Sequence, residues 1–138
     1  MSPPRLVTVA RKLAESVGDH LGRELRNVAA YDTTEIEPVY VRDDLEGEYR
    51  REEFLRLVAG MRDVHREVMR VDAVESKLGT ARACVQYFES AFAIQLVVGD
   101  DAGVVFVVER ETGRDLAEFV DCCRELIGAE AESLGLTH

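Results

Sequence analysis

Lysine is nearly absent from this chain. Of its 17 basic residues only Lys12 and Lys77 are lysines, against 27 Asp and Glu and a net charge of −10. Binding to nucleic-acid phosphates needs basic side chains gathered on one face. Here the arginines alternate with acids, as in Arg50-Arg51-Glu52-Glu53, so no nucleic-acid partner is expected. Long apolar runs are missing too. The longest, Val104–Val108, has strand length and falls far short of the ~20 residues of a membrane span. The start, Met1-Ser2-Pro3-Pro4-Arg5, holds no signal-peptide apolar region. The expectation is a soluble cytoplasmic protein with no membrane insertion. The three cysteines, Cys84, Cys122 and Cys123, are an odd set without a secretory signal and read as reduced thiols.

What is present describes one globular unit, residues 1–138. A chain of this length buries roughly 70% of its unfolded surface, and 46% of its residues are hydrophobic, so it needs no disulfide or metal to hold a core. Carboxylates hold water strongly, and concentrated salt screens their mutual repulsion. Many carboxylates with little lysine therefore read as adaptation to a salt-rich cytoplasm. An acidic protein from a high-GC mesophile is the alternative.

Hydrophobic spacing supplies the elements. Leu6, Val9, Leu13, Val17 and Leu21 recur at steps of three and four, an amphipathic helix that Gly18 and Gly22 are expected to end. Residues 26–31 and 36–42 read as a β-hairpin across Asp32-Thr33-Thr34-Glu35, with Pro38 marking an edge strand. Asp43-Asp44 is expected to cap a long helix from about Tyr49 to about Val71. Its face carries Phe54, Leu57, Val58, Met61, Val64 and Val68, and residues 72–79 form its exit. Residues 84–88 and 91–98 are strand-like, and Glu89-Ser90 between them allows either a turn or a bend. Gly99–Gly103 is a loop, and Val104–Arg110, apolar on both faces, reads as a central strand. Asp115 then caps a helix that Gly128 ends, with residues 1–4 and 129–138 as flexible ends in which Leu134 and Leu136 could dock. The fold class is α+β: one antiparallel sheet of about five strands with helices packed on it, in the order αββαβββα.

That order resembles the roadblock/LC7 (longin-like, profilin-like) modules. A second resemblance lies in residues. Val28-Ala29-Ala30-Tyr31-Asp32, Val39-Tyr40-Val41-Arg42-Asp43-Asp44, Phe88-Glu89-Ser90-Ala91 and Phe119-Val120-Asp121-Cys122-Cys123 look like a group of small acidic haloarchaeal proteins. That resemblance implies no activity.

No catalytic constellation emerges. Cys122 and Cys123 point about 100° apart on a helix, so core packing is the simpler role. A three-thiolate zinc site with Cys84 would lack an obvious fourth ligand. His20, His65 and His138 show no ligand spacing and read as surface or boundary residues. No serine has a nucleophile-elbow context, and no glycine-rich loop opens a helix to cradle phosphate. Asp100-Asp101 is turn chemistry. No cofactor or metal is expected, and the chain does not read as an enzyme.

Two places could carry binding. Tyr40, Arg42, Asp43 and Asp44 place an aromatic, a guanidinium and two carboxylates at a strand-to-helix junction, as an Arg–Asp pair and cap or as a partner contact. Phe54, Leu57, Val58, Met61 and Val68 form an apolar helix face suited to a dimer surface. The expected role is a non-enzymatic interaction or regulatory module, homodimeric, of a halophilic archaeon. The alternative is a sensor domain that binds a small ligand between sheet and helices.

Overall fold

The computed structural model describes residues 3–72, 79, 81–98 and 102–133. Helix α1 (Pro3–Leu21) leads through a short 3-10 turn into β1 (Leu25–Tyr31) and β2 (Ile36–Val41). A second 3-10 turn, Asp43–Leu45, precedes α2 (Glu48–Asp72). Strands β3 (Ala83–Tyr87), β4 (Ala91–Val97) and β5 (Gly103–Glu109) follow, then a third 3-10 turn, Arg110–Gly113, and α3 (Arg114–Ser133). The element order is the one read from the hydrophobic spacing.

The five strands form one sheet in the order β2-β1-β5-β4-β3, and every neighbouring pair is antiparallel. β5 lies at the centre, which explains its unbroken apolar run. Val104 and Val108 face the layer of α1 and α3, with Leu6, Ala10, Val28, Phe92 and Ala117. Val105 and Val107 face α2, with Ala29, Phe54, Val58 and Met61. A strand covered on both sides has no polar face to show. Each such aliphatic side chain stabilises the fold by about 1.5–3 kcal/mol through burial.

Several local expectations are corrected. Gly18 does not end α1, which runs to Leu21; Gly22, at φ +56°, turns the chain out. Asp43 and Asp44 do not cap α2, because they lie in the preceding 3-10 turn, where Asp44 bonds Arg42 instead. Asp115 lies in the first turn of α3 beyond Arg114, and α3 passes through Gly128 to Ser133. Pro3, Pro4 and residues 129–133, expected as flexible ends, are helical; Leu134, Leu136 and most of the Gly99–Gly103 loop lie outside the described residues. Glu89-Ser90 forms a turn, closed by the Phe88 N–H donating to the Ala91 carbonyl at 2.8 Å. Pro38 sits on edge strand β2, opposite Ala29 beside a ladder irregularity at Val28/Ala29.

Gly103 has a packing reason. It pairs with Tyr31 across the β1–β5 ladder. A Cβ there would overlap the Tyr31 hydroxyl and stand 2.6 Å from the Leu96 carbonyl oxygen.

Candidate functional site

The Tyr40–Asp44 junction is tightly tied. Arg42 donates through Nε and Nη2 to the two oxygens of Asp44, at 2.6 and 3.0 Å. Its Nη1 donates to Glu109 Oε1 at 2.8 Å and to the Arg23 carbonyl at 2.5 Å. The side chain is 13% exposed, so these bonds join β2 to β5 and to the turn after α1. The Arg42 hydrogen bond holds the Asp44 carboxyl below the usual carboxylate range, and Asp44 in turn raises the guanidinium. Tyr40 is half-buried against the α1 layer, and Asp43 is exposed. Arg42 has little left to offer a ligand.

The proposed dimer face of α2 requires a correction. Phe54, Val58 and Met61 are buried against the sheet, with Leu57 partly buried beside them. The stripe is consumed by the chain's own core; the side chain of Val68 lies outside the described residues. The stripe is also rotated from its expected position. Val64 is 41% exposed, and His65 takes the inward place at 0%.

His65 enters a buried polar network. Gln95 Nε2 donates to the Met61 carbonyl at 2.7 Å and to the Tyr31 hydroxyl at 2.8 Å. A carbonyl can only accept, so the orientation of the Gln95 amide is fixed. Tyr31 Oη also bonds His65 Nδ1, 2.5 Å away, with the direction set by the imidazole tautomer. His65 Nε2 and Gln95 Oε1 are buried without a hydrogen-bond partner. The network joins β1, β4 and α2 at one interior point.

Turn chemistry anchors the near end of this layer. Asp32 Oδ1 accepts from the backbone N–H groups of Thr34 and Glu35 at 2.9 and 2.8 Å. Burial pushes the Asp32 carboxyl up, but these bonds and the Arg62 charge outweigh it and hold the group below its ordinary value. Arg62 and Arg66 of α2 donate to the carbonyls of Asp32 and Thr33.

A second cluster pins α3. Arg110 donates through Nε to the Tyr87 hydroxyl at 3.0 Å and through Nη2 to Asp121 Oδ2 at 2.9 Å. Tyr87 donates to the same Asp121 oxygen at 3.0 Å. The Arg110 bond holds Asp121 below the usual carboxylate range, against a smaller upward push from burial and with Tyr87 assisting. Tyr87 also stacks on Phe92, with ring centroids 4.8 Å apart.

Between α2 and the sheet lies a slot of about 380 Å³. Leu45, Phe54, Leu57 and Val107 form its apolar walls, and Arg26 and Asn27 supply polar groups. Asn27 is 8% exposed. Its side chain stands on the α2 side of β1, by alternation from Ala29 and Tyr31. Arg26 Nε is buried without a hydrogen-bond partner, with Glu109 Oε1 at 3.9 Å.

The cysteines do not converge. Cys84 pairs with Gln95 on the α2 side of β3, while α3, which carries an exposed Cys122, packs on the other face. The side chain of Cys123 lies outside the described residues. Among the described residues no three His, Cys, Asp or Glu side chains gather as a metal site, and no helix is long and apolar enough to cross a membrane. His20 is exposed at the end of α1, and His138 lies outside the described residues.

The two sheet edges differ. β2 carries Glu37, Pro38 and the irregular ladder. β3, Ala83–Tyr87, holds no charge and no proline. Phe88 N–H and the Arg82 carbonyl both point to β4, so by alternation Ala83, Val85 and Tyr87 turn their backbone groups outward. Val85 is 50% exposed.

Sequence reasoning missed the Tyr31–His65–Gln95 network, the Tyr87–Arg110–Asp121 cluster and Asn27. Two signals existed: His65 continues the 54-58-61 spacing of α2, and Gln95 is the one polar residue inside Ala91–Val97.

One family model matches residues 11–128, and its description is a domain of unknown function, DUF7522. No curated protein matches the chain.

Proposed function

Because the chain belongs to the DUF7522 family, a domain of unknown function, we propose its role from its own geometry: a non-enzymatic interaction module that pairs with a second copy through β3. The observation that carries this is the open β3 edge. An unpaired edge strand is a template for another strand, and proteins that must avoid pairing blunt it with charge, proline or bulges. β2 has such features and β3 has none.

A two-fold axis through Val85 would set Val85 against Val85, Ala83 against Tyr87 and Cys84 against Gln86. Arg82 would face Phe88 and Ala81 would face Glu89. No like charges meet, although the chain carries −10. The outward N–H and C=O groups of Ala83, Val85 and Tyr87 would exchange hydrogen bonds, each contributing about 0.5–1.5 kcal/mol. The element order supports the same role, since roadblock-like modules commonly pair by extending a sheet edge. The acidic, lysine-poor composition supports work in the salt-rich cytoplasm of a halophilic archaeon.

Mass in solution tests the pairing. Light scattering in molar KCl should give a dimer at micromolar concentration. Val85→Lys should give a folded monomer, because the substitution puts two ammonium groups at the axis. A wild-type chain that is monomeric throughout this range sinks the proposal.

A further inference from the structure

We propose that the groove between α1 and the β1–β2 hairpin is a binding site for a small zwitterion with an aliphatic body, of the α-amino-acid class. This does not depend on the pairing of β3. The groove has a volume of about 390 Å³, and Leu6, Val7 and Arg11 of α1 line it with Ala30, Glu35 and Glu37 of the hairpin. Local structure gathers an apolar strip and both signs of charge there. Val7 and Arg11 are one turn apart, so they share a flank of α1. Ala30 and Glu37 are partners across the β1–β2 ladder, so their side chains share a sheet face. Ala30 packs in the α1 layer, which sets Glu37 on the α1 side as well. Leu6 and Ala30, at 1% and 3% exposed, close the floor from beneath. The open apolar surface is supplied by half-buried Val7 and by the methylene stems of Arg11 and Glu37.

The charged groups reach solvent and are open to a ligand. Arg11, Glu35 and Glu37 are exposed, and the ion pairs among the described residues take up none of the three. Opposite charges that line one groove without pairing leave a guanidinium for a ligand carboxylate and carboxylates for a ligand ammonium. Asp32, the fourth charged residue of the lining, is engaged in its own turn, where Oδ1 accepts from the Thr34 and Glu35 N–H groups. A simple anion would meet Glu35 and Glu37, and a simple cation would meet Arg11. A molecule carrying both signs satisfies all three, with its aliphatic part against Val7. The volume, about 390 Å³, lies at the small end of ligand pockets, which run to ~1,000 Å³, and suits a body of a few carbons.

L-Leucine is a suitable probe, titrated into the full chain at a KCl concentration where it is folded and followed by ¹⁵N–¹H NMR. The expected result is saturable shifts of the Val7, Arg11 and Glu37 backbone signals. Isocaproate lacks the ammonium and isoamylamine lacks the carboxylate, and each should bind at least about tenfold more weakly. These analogues test the ligand class on the unaltered chain. Arg11→Gln should weaken L-leucine about tenfold and leave isoamylamine no weaker, because only the carboxylate contact is lost. Glu37→Gln should weaken L-leucine and leave isocaproate no weaker. Both side chains are exposed, so neither change disturbs the core. The proposal is overturned by no saturable response, by shifts centred away from the groove, by an analogue that binds as tightly as L-leucine, or by L-leucine affinity unchanged in Arg11→Gln.

Discussion

Tyr31 stands directly across from Gly103 in the β1–β5 ladder, and its hydroxyl fills the space a Cβ at position 103 would need. The absence of one side chain thus lets another reach His65 and Gln95. Gly103→Ala should lower stability by about 1–3 kcal/mol, the usual cost of overpacking a core. Denaturant melts would measure the loss. The His65 ring nitrogens should change their NMR shifts as the Tyr31 hydroxyl is displaced.

Tyr31→Phe deletes the hydroxyl that links Gln95 to His65 and leaves buried groups unpaired. The expected cost is about 1–3 kcal/mol. Tyr31→Phe combined with His65→Leu should cost less than the two single changes added together, because the partners share one network. A double-mutant cycle from urea melts checks this, and strict additivity would dissolve the network.

Arg42→Ala should lower the melting temperature without changing the mass in solution, because Arg42 ties Asp44, Glu109 and the Arg23 carbonyl within one chain. A fall in mass with unchanged melting would return Arg42 to the role of a partner contact.

Acid should weaken the Asp121 and Asp44 ties. Both carboxyls lie below their ordinary range in the folded chain, chiefly through the Arg110 and Arg42 hydrogen bonds. A carboxyl whose folded value is depressed binds its proton more readily when unfolded, so its stabilisation is complete above about pH 4, the unfolded value. The stabilisation declines as pH falls from there through the folded value. Asp121→Asn should therefore destabilise near neutral pH and converge on the wild type in strong acid. Melts across this range would show the two curves meeting, and a constant gap would contradict the expectation.

Thermal melts in molar KCl and in dilute buffer test salt adaptation. With a net charge of −10, lowering the salt restores repulsion among the carboxylates, and the midpoint should drop. Equal midpoints would favour the high-GC mesophile origin.

Periodicity made the element order legible, because each helix or strand must bury one face whatever its neighbours do. The centrality of β5 was legible for the same reason, in Val104–Val108. Cross-strand partners were not. Tyr31, His65 and Gln95 are separated by 34 and 30 residues, and they meet only through the β1–β5 and β4–β5 registers together with the packing of α2 on the sheet. The α2 stripe was misplaced at one position, since valine outranks histidine in hydropathy, yet Val64 is exposed and His65 buried. Phe54, Val58 and Met61 were rightly read as one apolar face, but a face alone does not say whether its own sheet or another chain covers it. Arg42 beside Asp44 was visible as a pair; Glu109, the third member, comes from the far end of the chain.

Pro38 and the ladder irregularity beside it have a consequence for assembly size. A sheet with two open edges can add strands from both sides and grow into a fibre. With β2 blunted, the β3 pairing proposed above would let the sheet join once, because a two-fold contact uses the same edge of both copies together. Under the proposed pairing at β3, the β2 border is expected to terminate the array, so growth by sheet extension should stop at the first addition.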